Sequence, residues 1–231
     1  MHNYECLIFD LYNTLISDDG MAEREKYRID SIYTILEKSL YPVKFQTLSE
    51  KYGEMMARWA ESQATNGWCV PPFYQVEYLL NSLNVHDLIV FKKTYDVYID
   101  AILQICPDPV HHAQKALQEL KDRGKKIGLI SNTGKTPGVI LRMMLKEVNL
   151  FEYFDDMVFS DEVGYLKPDE RIFHLATERL GVKREETVFI GDLKVSDYDG
   201  AMGAGLSAHL FDRKKEDLYN IVIDYSGGYL E

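Results

Sequence analysis

The stretch Cys6-Leu7-Ile8-Phe9-Asp10-Leu11-Tyr12-Asn13-Thr14-Leu15 constrains this chain more than any other. A brief apolar run at about residues 5–9 reads as a buried strand, and it ends on a carboxylate. An acid in that position is costly unless it is solvated, paired or bound to a metal. The rest of the sequence therefore has to supply partners for Asp10.

From Asp18 onward the pattern turns helical. Ile29, Ile32, Tyr33, Leu36 and Leu40 recur at three- and four-residue steps, and Pro42 closes the segment. Leu48, Tyr52, Met55, Met56 and Trp59 give a second face. After the break Asn66-Gly67-Trp68-Cys69-Val70-Pro71-Pro72, a third runs through Val76, Leu79, Leu80 and Leu83. Tyr95, Tyr98, Ile99, Ile102 and Leu103 form a fourth. Four amphipathic helices in succession predict a small bundle, whose Met and aromatic stripes are its own core rather than a cofactor box.

Pro107-Asp108-Pro109 marks a return to a different rhythm. A helix is expected from Val110 to Arg123 with Gly124 as its C-cap, then a strand over 126–130 ending on Ser131-Asn132-Thr133. Thr136-Pro137 opens a helix through Met144, and Met157-Val158-Phe159 is a third strand. Pro168 starts a helix ending near Leu180-Gly181, Val188-Phe189-Ile190 is a fourth strand ending on Gly191-Asp192, a helix begins near Ser196, and 208–211 is a fifth strand. Alternation of this kind predicts an α/β fold with a Rossmann-like, doubly wound parallel sheet. The α-helical bundle interrupts it as an inserted domain, which puts the core at residues 1–17 and 104–231 and the bundle at 18–103.

Size and charge narrow the function. A chain of 231 residues, 46% apolar, has room for one core with a smaller second domain. A net charge of −11 argues against nucleic acid and anionic membranes as partners, and obliges any phosphate-ester substrate to find a local cation. Cys6, Cys69 and Cys106 are odd in number and widely spaced, as expected of reduced cytosolic thiols rather than disulfides or a zinc site. Neither a basic leader nor an apolar run of roughly 20 residues is present, so a soluble cytoplasmic protein is expected, as monomer or homodimer.

In open parallel sheets ligands bind beyond the carboxyl ends of the strands. Asp10, Ser131 and Asp192 each follow a strand there, and Lys167 lies in the loop after the third. Alone, each has a plain reading: a loop cap for Asp10, a strand-end hydrogen bond for Ser131, a solvated amine for Lys167, and for Asp197 a favourable place at the start of the helix that Ser196 caps. Together they put a nucleophile or base, a hydroxyl, a cation and a second carboxylate on one edge. That set can transfer an anionic group to Asp10 while a hard cation bridges Asp10 and Asp192.

At these residues the chain resembles the haloacid dehalogenase-like hydrolase superfamily. Its four motifs stand in order as Asp10-Leu11-Tyr12-Asn13-Thr14, Ser131, Lys167 and Gly191-Asp192-Leu193-Lys194-Val195-Ser196-Asp197, and the helical insertion sits where the family's commonest cap domain sits. The resemblance implies that Asp10 attacks and forms an aspartyl intermediate. It implies that Thr14 supports the nucleophile loop, that Thr14, Ser131, Asn132 and Lys167 contact the transferring group, and that Lys167 offsets negative charge. Mg²⁺ would be held by Asp10, the Tyr12 main-chain carbonyl and Asp192, with Asp197 in support. The cap would close over the site, and the partner would be a small phosphorylated metabolite. Arg24, Lys26, Arg28, Trp59, Trp68 and Tyr74 are candidates for substrate contact.

One residue departs from the phosphatase pattern. Family phosphatases usually carry a second Asp two residues after the nucleophile, as proton donor and later as base; Tyr12 stands there. A phenol with a pKa of about 10 donates a proton but is a poor base near neutrality. Tyrosine at this place resembles the 2-haloacid dehalogenases, which use no metal, whereas Asp192 and Asp197 resemble the metal-dependent phosphatases. The acid pair is expected to decide for a phosphatase, with a metal-independent dehalogenase and a low-turnover regulatory protein as alternatives.

Overall fold

Cys6–Phe9 (β1) is apolar on both faces and all four residues are buried, as a strand must be when neighbours flank both its edges and helices cover both its faces. In the computed structural model, which describes residues 3–66 and 69–228, β1 is the centre of a five-stranded sheet. The other strands are Lys126–Ser131 (β2), Asp156–Phe159 (β3), Thr187–Gly191 (β4) and Ser207–Leu210 (β5), in the order β3-β2-β1-β4-β5, and every pairing is parallel. The doubly wound α/β sheet expected from the sequence is therefore present. The chain winds outward from β1 to β3 on one side, then returns to place β4 on β1's other edge. The order reverses between β1 and β4, and such a switch point leaves an open crevice at the carboxyl ends.

The chain divides into two compact units. The first comprises Met1–Asp18, Pro107–Asn132 and Leu145–Glu231 and holds the sheet. One face of the sheet packs Ile8, Ile130, Val158 and Phe189 against Ile172, Phe173 and Ala176 of the helix Glu170–Leu180. The second unit comprises Asp19–Cys106 and Thr133–Met144. Its helices Met21–Glu37 (α1), Phe45–Asn66 (α2), Pro72–Ser82 (α3) and Leu88–Ile99 (α4) bury Ile32, Leu36, Leu48, Met55, Val76, Leu79 and Tyr98 together. Apolar residues at helical spacing thus become one shared core. Among the described residues no helix is long and apolar enough to cross a membrane.

The structure differs from the sequence reading in several places. α1 stops at Glu37, so Leu40, expected on its buried face, is 95% exposed. The fourth face is cut at Asp100 into α4 and a short helix, Ala101–Gln104 (α5). The helix expected from Val110 begins at Ala113 (α6, Ala113–Asp122), because His112 takes a left-handed φ of 61°. Helix Gly138–Glu147 (α7) and the short Ser160–Val163 (α8) follow, and then Glu170–Leu180 (α9) is capped by Asp169, whose carboxylate accepts the Arg171 N–H, leaving Pro168 outside the helix. Gly200–Gly203 (α10) precedes β5, and a last helix, Leu218–Tyr225 (α11), was not foreseen at all. Gly67 and the candidate Trp68 lie outside the described residues.

Candidate active site

The sheet fixes the first acid. The Asp10 N–H donates to the Ile190 carbonyl at 2.9 Å, which carries the β1–β4 ladder one residue past the strand and holds Asp10 at the switch point. Asp192 follows β4 directly. Lys167, 2% exposed, stands beside the first acid: its Nζ donates to Asp10 Oδ1 at 2.5 Å and lies 2.8 Å from Asp197 Oδ1. The same ammonium stands 5.0 Å from the centroid of the Phe189 ring, a further favourable site for a buried cation.

Asp197 is fully buried because its second oxygen is also occupied. Oδ2 accepts the Leu193 N–H at 2.9 Å, and the Ser196 hydroxyl donates to Oδ1 at 3.2 Å. The helix expected near Ser196 begins two residues earlier and is not capped by Ser196. Lys194–Asp199 forms a wide π-type turn that leads into α10, with no side-chain cap. The carboxylate of Asp197 turns inward to the lysine instead of outward to a helix end.

Burial pushes the Asp10 carboxyl up to about 7; Lys167 pulls it down, and Asp197 and Asp192 push it up again. Asp192 is raised as well, first by burial and then by Asp197, with an Asn13 side-chain hydrogen bond working the other way. Lys167 stays above its ordinary value although burial opposes it, since Asp10 and Asp197 both hold its proton. These directions agree: one cation shared among several acids keeps its own proton and cannot satisfy them all. Asp10, Asp192 and Asp197 each offer an oxygen within 4.8 Å of the others. Three hard carboxylate ligands against one lysine are a donor set suited to a divalent cation such as Mg²⁺.

The other expected contacts divide. Ser131 is 1% exposed, with its hydroxyl only weakly engaged, 3.5 Å from the Asn132 carbonyl. Asn132, expected on the substrate, is taken up by the protein. Its Nδ2 donates to the Lys167 carbonyl at 2.9 Å and its Oδ1 accepts the Lys167 N–H at 2.8 Å, a two-point clamp on the lysine's main chain. The Thr14 hydroxyl is buried with no hydrogen-bond partner among the described residues. Main-chain bonds close the loop after Asp10 instead, from Asn13 N–H to Ile16 O at 2.7 Å and from Leu15 N–H to Leu11 O at 2.9 Å. Tyr12 is half-buried and bridges to Ile16. Asn13 was not singled out by sequence reasoning. The residue type was the available signal: Asn tolerates the left-handed conformation that this tight turn uses, φ 58°.

The helical unit holds its own polar network. Arg28 is buried and donates from Nε to the Tyr98 carbonyl at 2.8 Å and from Nη1 to Glu25 at 2.7 Å. Lys135 reaches the same Glu25 oxygen at 2.6 Å, and the Tyr52 hydroxyl donates to the other oxygen at 2.7 Å. Glu25 and Lys135 were not anticipated. Of the other candidates, Arg24 is buried, Lys26 pairs with Asp30 in solvent, Trp59 packs on Tyr78, and Tyr74 is exposed.

Gly191 closes the ring. A methyl there would stand 2.6 Å from the Asp197 carboxylate, which cannot retreat while Lys167 and the Leu193 N–H hold it. Gly191→Ala is expected to destabilise the protein by about 1–3 kcal/mol through overpacking. A urea melt reads this directly, and an unchanged midpoint would show that Asp197 is free to move.

The family description "haloacid dehalogenase-like hydrolase" matches residues 4–205. A glyceraldehyde 3-phosphate phosphatase of Methanothermobacter thermautotrophicus is 38% identical over 213 residues, 89% of this chain and 84% of that one. Another of the same name, from Pyrococcus furiosus, is 27% identical over 221 residues, covering 91% and 82%. Among solved structures, a 2-haloacid dehalogenase from Pseudomonas syringae superposes with a TM-score of 0.66 at 18% identity, over 94% of this chain and 89% of that one, a likeness of fold.

Proposed function

The chain belongs to the haloacid dehalogenase-like hydrolase family, and from that premise we propose that it is a Mg²⁺-dependent phosphatase that cleaves a small phosphorylated metabolite through a phosphoaspartyl intermediate on Asp10. One observation carries the reading: three clustered carboxylates have one buried lysine beside them, and it pairs with two of the three. A site with that surplus of negative charge is poorly suited to an anionic substrate until a second cation joins it. The relatives named as phosphatases support the same reaction class, and glyceraldehyde 3-phosphate is a natural first member of a substrate panel.

Asp10, Asp192 and the Tyr12 main-chain carbonyl would hold the ion, with Asp197 behind them. When bound, the ion offsets charge on the carboxylates and on the phosphoryl oxygens. Asp10 attacks phosphorus, the P–O bond to the leaving group breaks, and the alkoxide or phenoxide departs. Water then attacks the phosphorus of the acyl phosphate, which releases inorganic phosphate and restores the Asp10 carboxylate. Lys167, held by the Asn132 clamp, keeps an ammonium against Asp10 and neutralises charge as it builds. Thr14 and Ser131 bring buried hydroxyls, neither firmly engaged, to donate to phosphoryl oxygens. Tyr12 supplies a weak acid and a poor base, so protonation of the leaving group and activation of water lose the usual 10²–10⁴-fold help, and good leaving groups are favoured.

The test is phosphate release from p-nitrophenyl phosphate with Mg²⁺ and with chelator. Magnesium-dependent release is expected, with phosphoryl-Asp10 accumulating in acid-quenched samples because its hydrolysis is the slow step. Tyr12 favours one competing reading, a 2-haloacid dehalogenase. Halide release from a 2-haloacid in chelator, with no phosphate release under either condition, would replace the phosphatase reading by that one.

A further inference from the structure

Outside the Asp10 cluster, the sheet unit brings together a second set of metal-ligating side chains that the hydrolase reading does not use: His111, His112 and Asp217. The two histidines end the segment that leads into α6, and Asp217 caps α11, which puts more than a hundred residues of chain between them. His112 Nδ1 lies 2.7 Å from Asp217 Oδ2, and His111 Nε2 lies 4.0 Å from that same oxygen. The left-handed turn at His112 folds two consecutive imidazoles onto one side, with ring centroids 3.7 Å apart. Side chains that are 79% and 40% exposed would otherwise be free to diverge into solvent.

We propose that His111, His112 and Asp217 form a site for a borderline divalent transition ion, Zn²⁺ in the first instance, separate from the carboxylate cluster at Asp10. Two imidazole nitrogens and one carboxylate oxygen are the donor set of a zinc centre with an open fourth position, whereas Mg²⁺ and Ca²⁺ prefer oxygen alone. Ligands about 2.0–2.1 Å from a tetrahedral ion stand about 3.3 Å from one another. Reaching that arrangement opens the His112–Asp217 contact and draws His111 in, each by well under an ångström. The two rings, now stacked at 3.7 Å, must also swing apart so that both nitrogens face the ion, a rotation about side-chain torsions that exposed histidines are free to make.

The carboxylate is already oriented. Asp217 Oδ1 accepts the N–H groups of Tyr219 at 2.9 Å and Asn220 at 3.3 Å, which leaves Oδ2 turned towards the histidines. That is the supporting shell a metal ligand needs. Lys115 lies on the Tyr219 ring, its Nζ 3.6 Å from the centroid. The histidine segment is itself tied to the nucleophile loop, since Val110 N–H donates to Leu15 O at 2.9 Å and Ser17 N–H to Asp108 O at 2.8 Å. An ion at the site would therefore brace α11 against the strand of chain that pairs with residues 15–17.

Calorimetric titration of the untagged full chain with Zn²⁺, in millimolar Mg²⁺ to occupy the Asp10 cluster, tests the proposal. One equivalent of Zn²⁺ should bind and raise the melting temperature, and Co²⁺ should give visible d–d absorption from low-symmetry nitrogen and oxygen ligation. His111→Ala and Asp217→Asn should each weaken Zn²⁺ binding by at least about tenfold. Asn retains the helix cap and His111 is exposed, so both variants should melt like the parent without zinc. Absence of stoichiometric binding would overturn the proposal. So would binding that survives both substitutions, or binding that disappears in Asp192→Asn, which would place the zinc at the other cluster. None of these readouts depends on phosphatase activity.

Discussion

Asp10→Asn should lower phosphate release from p-nitrophenyl phosphate by at least about 10⁴-fold, the scale on which removal of a covalent nucleophile acts. Binding of inorganic phosphate should change far less, because Lys167 and the hydroxyls of Thr14 and Ser131 remain. The same substitution has a second consequence for the metal-free protein. Burial raises the Asp10 carboxyl from its ordinary value to about 7, so the folded state binds the proton more tightly than the unfolded chain. Stability contributed by that proton is fully present below the ordinary carboxylate range and is lost as pH rises through about 7. Asn resembles the protonated acid and has nothing to lose. In chelator the variant should therefore melt above the parent at pH 8, and the difference should vanish near pH 4. Added Mg²⁺ should erase the parent's deficit by restoring the missing counter-charge. Residual turnover close to the parent's would remove Asp10 from the chemistry. Identical melting at both pH values would mean the carboxyl is not raised.

Much of this site is legible in the sequence, because the features that place it are local. A buried strand ending on Asp, repeated on the other side of a sheet switch point by Ile190-Gly191-Asp192, fixes two acids from apolar runs alone. What the sequence conceals is how polar side chains are shared. Asn132 looks like a substrate ligand because it follows Ser131, yet its amide pairs with both main-chain groups of Lys167. Asp197 looks like a helix-start acid because Ser196 precedes it, yet the wide turn over 194–199 rotates it onto the lysine. Gly191 shows no need for its missing side chain until Asp197 is in place beneath it. The late helix α11 was missed for a related reason: its cap, Asp217, follows a charged run that reads as loop, and its apolar stripe spans only two turns. Pairings across long stretches of chain decide these cases, and periodicity carries no information about them.

Lys167→Met is expected to cost about 3–5 kcal/mol of stability in metal-free protein, the range for removing one partner of a buried ion pair. Methionine fills similar space without the charge, so packing is nearly retained and the loss is electrostatic. Asp10 and Asp197 would then face one another and Asp192 with no cation among them. The acids can relieve this only by taking up protons, which makes the loss smaller at pH 5 than at pH 8. A urea series at the two pH values measures both the size and the slope of the effect. Turnover in Mg²⁺ should fall by about 10²–10³-fold, since the proposed mechanism has Lys167 neutralise charge that grows in the transition state. Magnesium should recover part of the lost stability but little of the lost rate. That split separates the lysine's two tasks, because a divalent ion can balance surplus carboxylate charge but does not place an ammonium against Asp10. A loss below about 1 kcal/mol at pH 8 would mean that water, rather than Lys167, compensates the acids, and the site would then need no second cation to accept a phosphate ester.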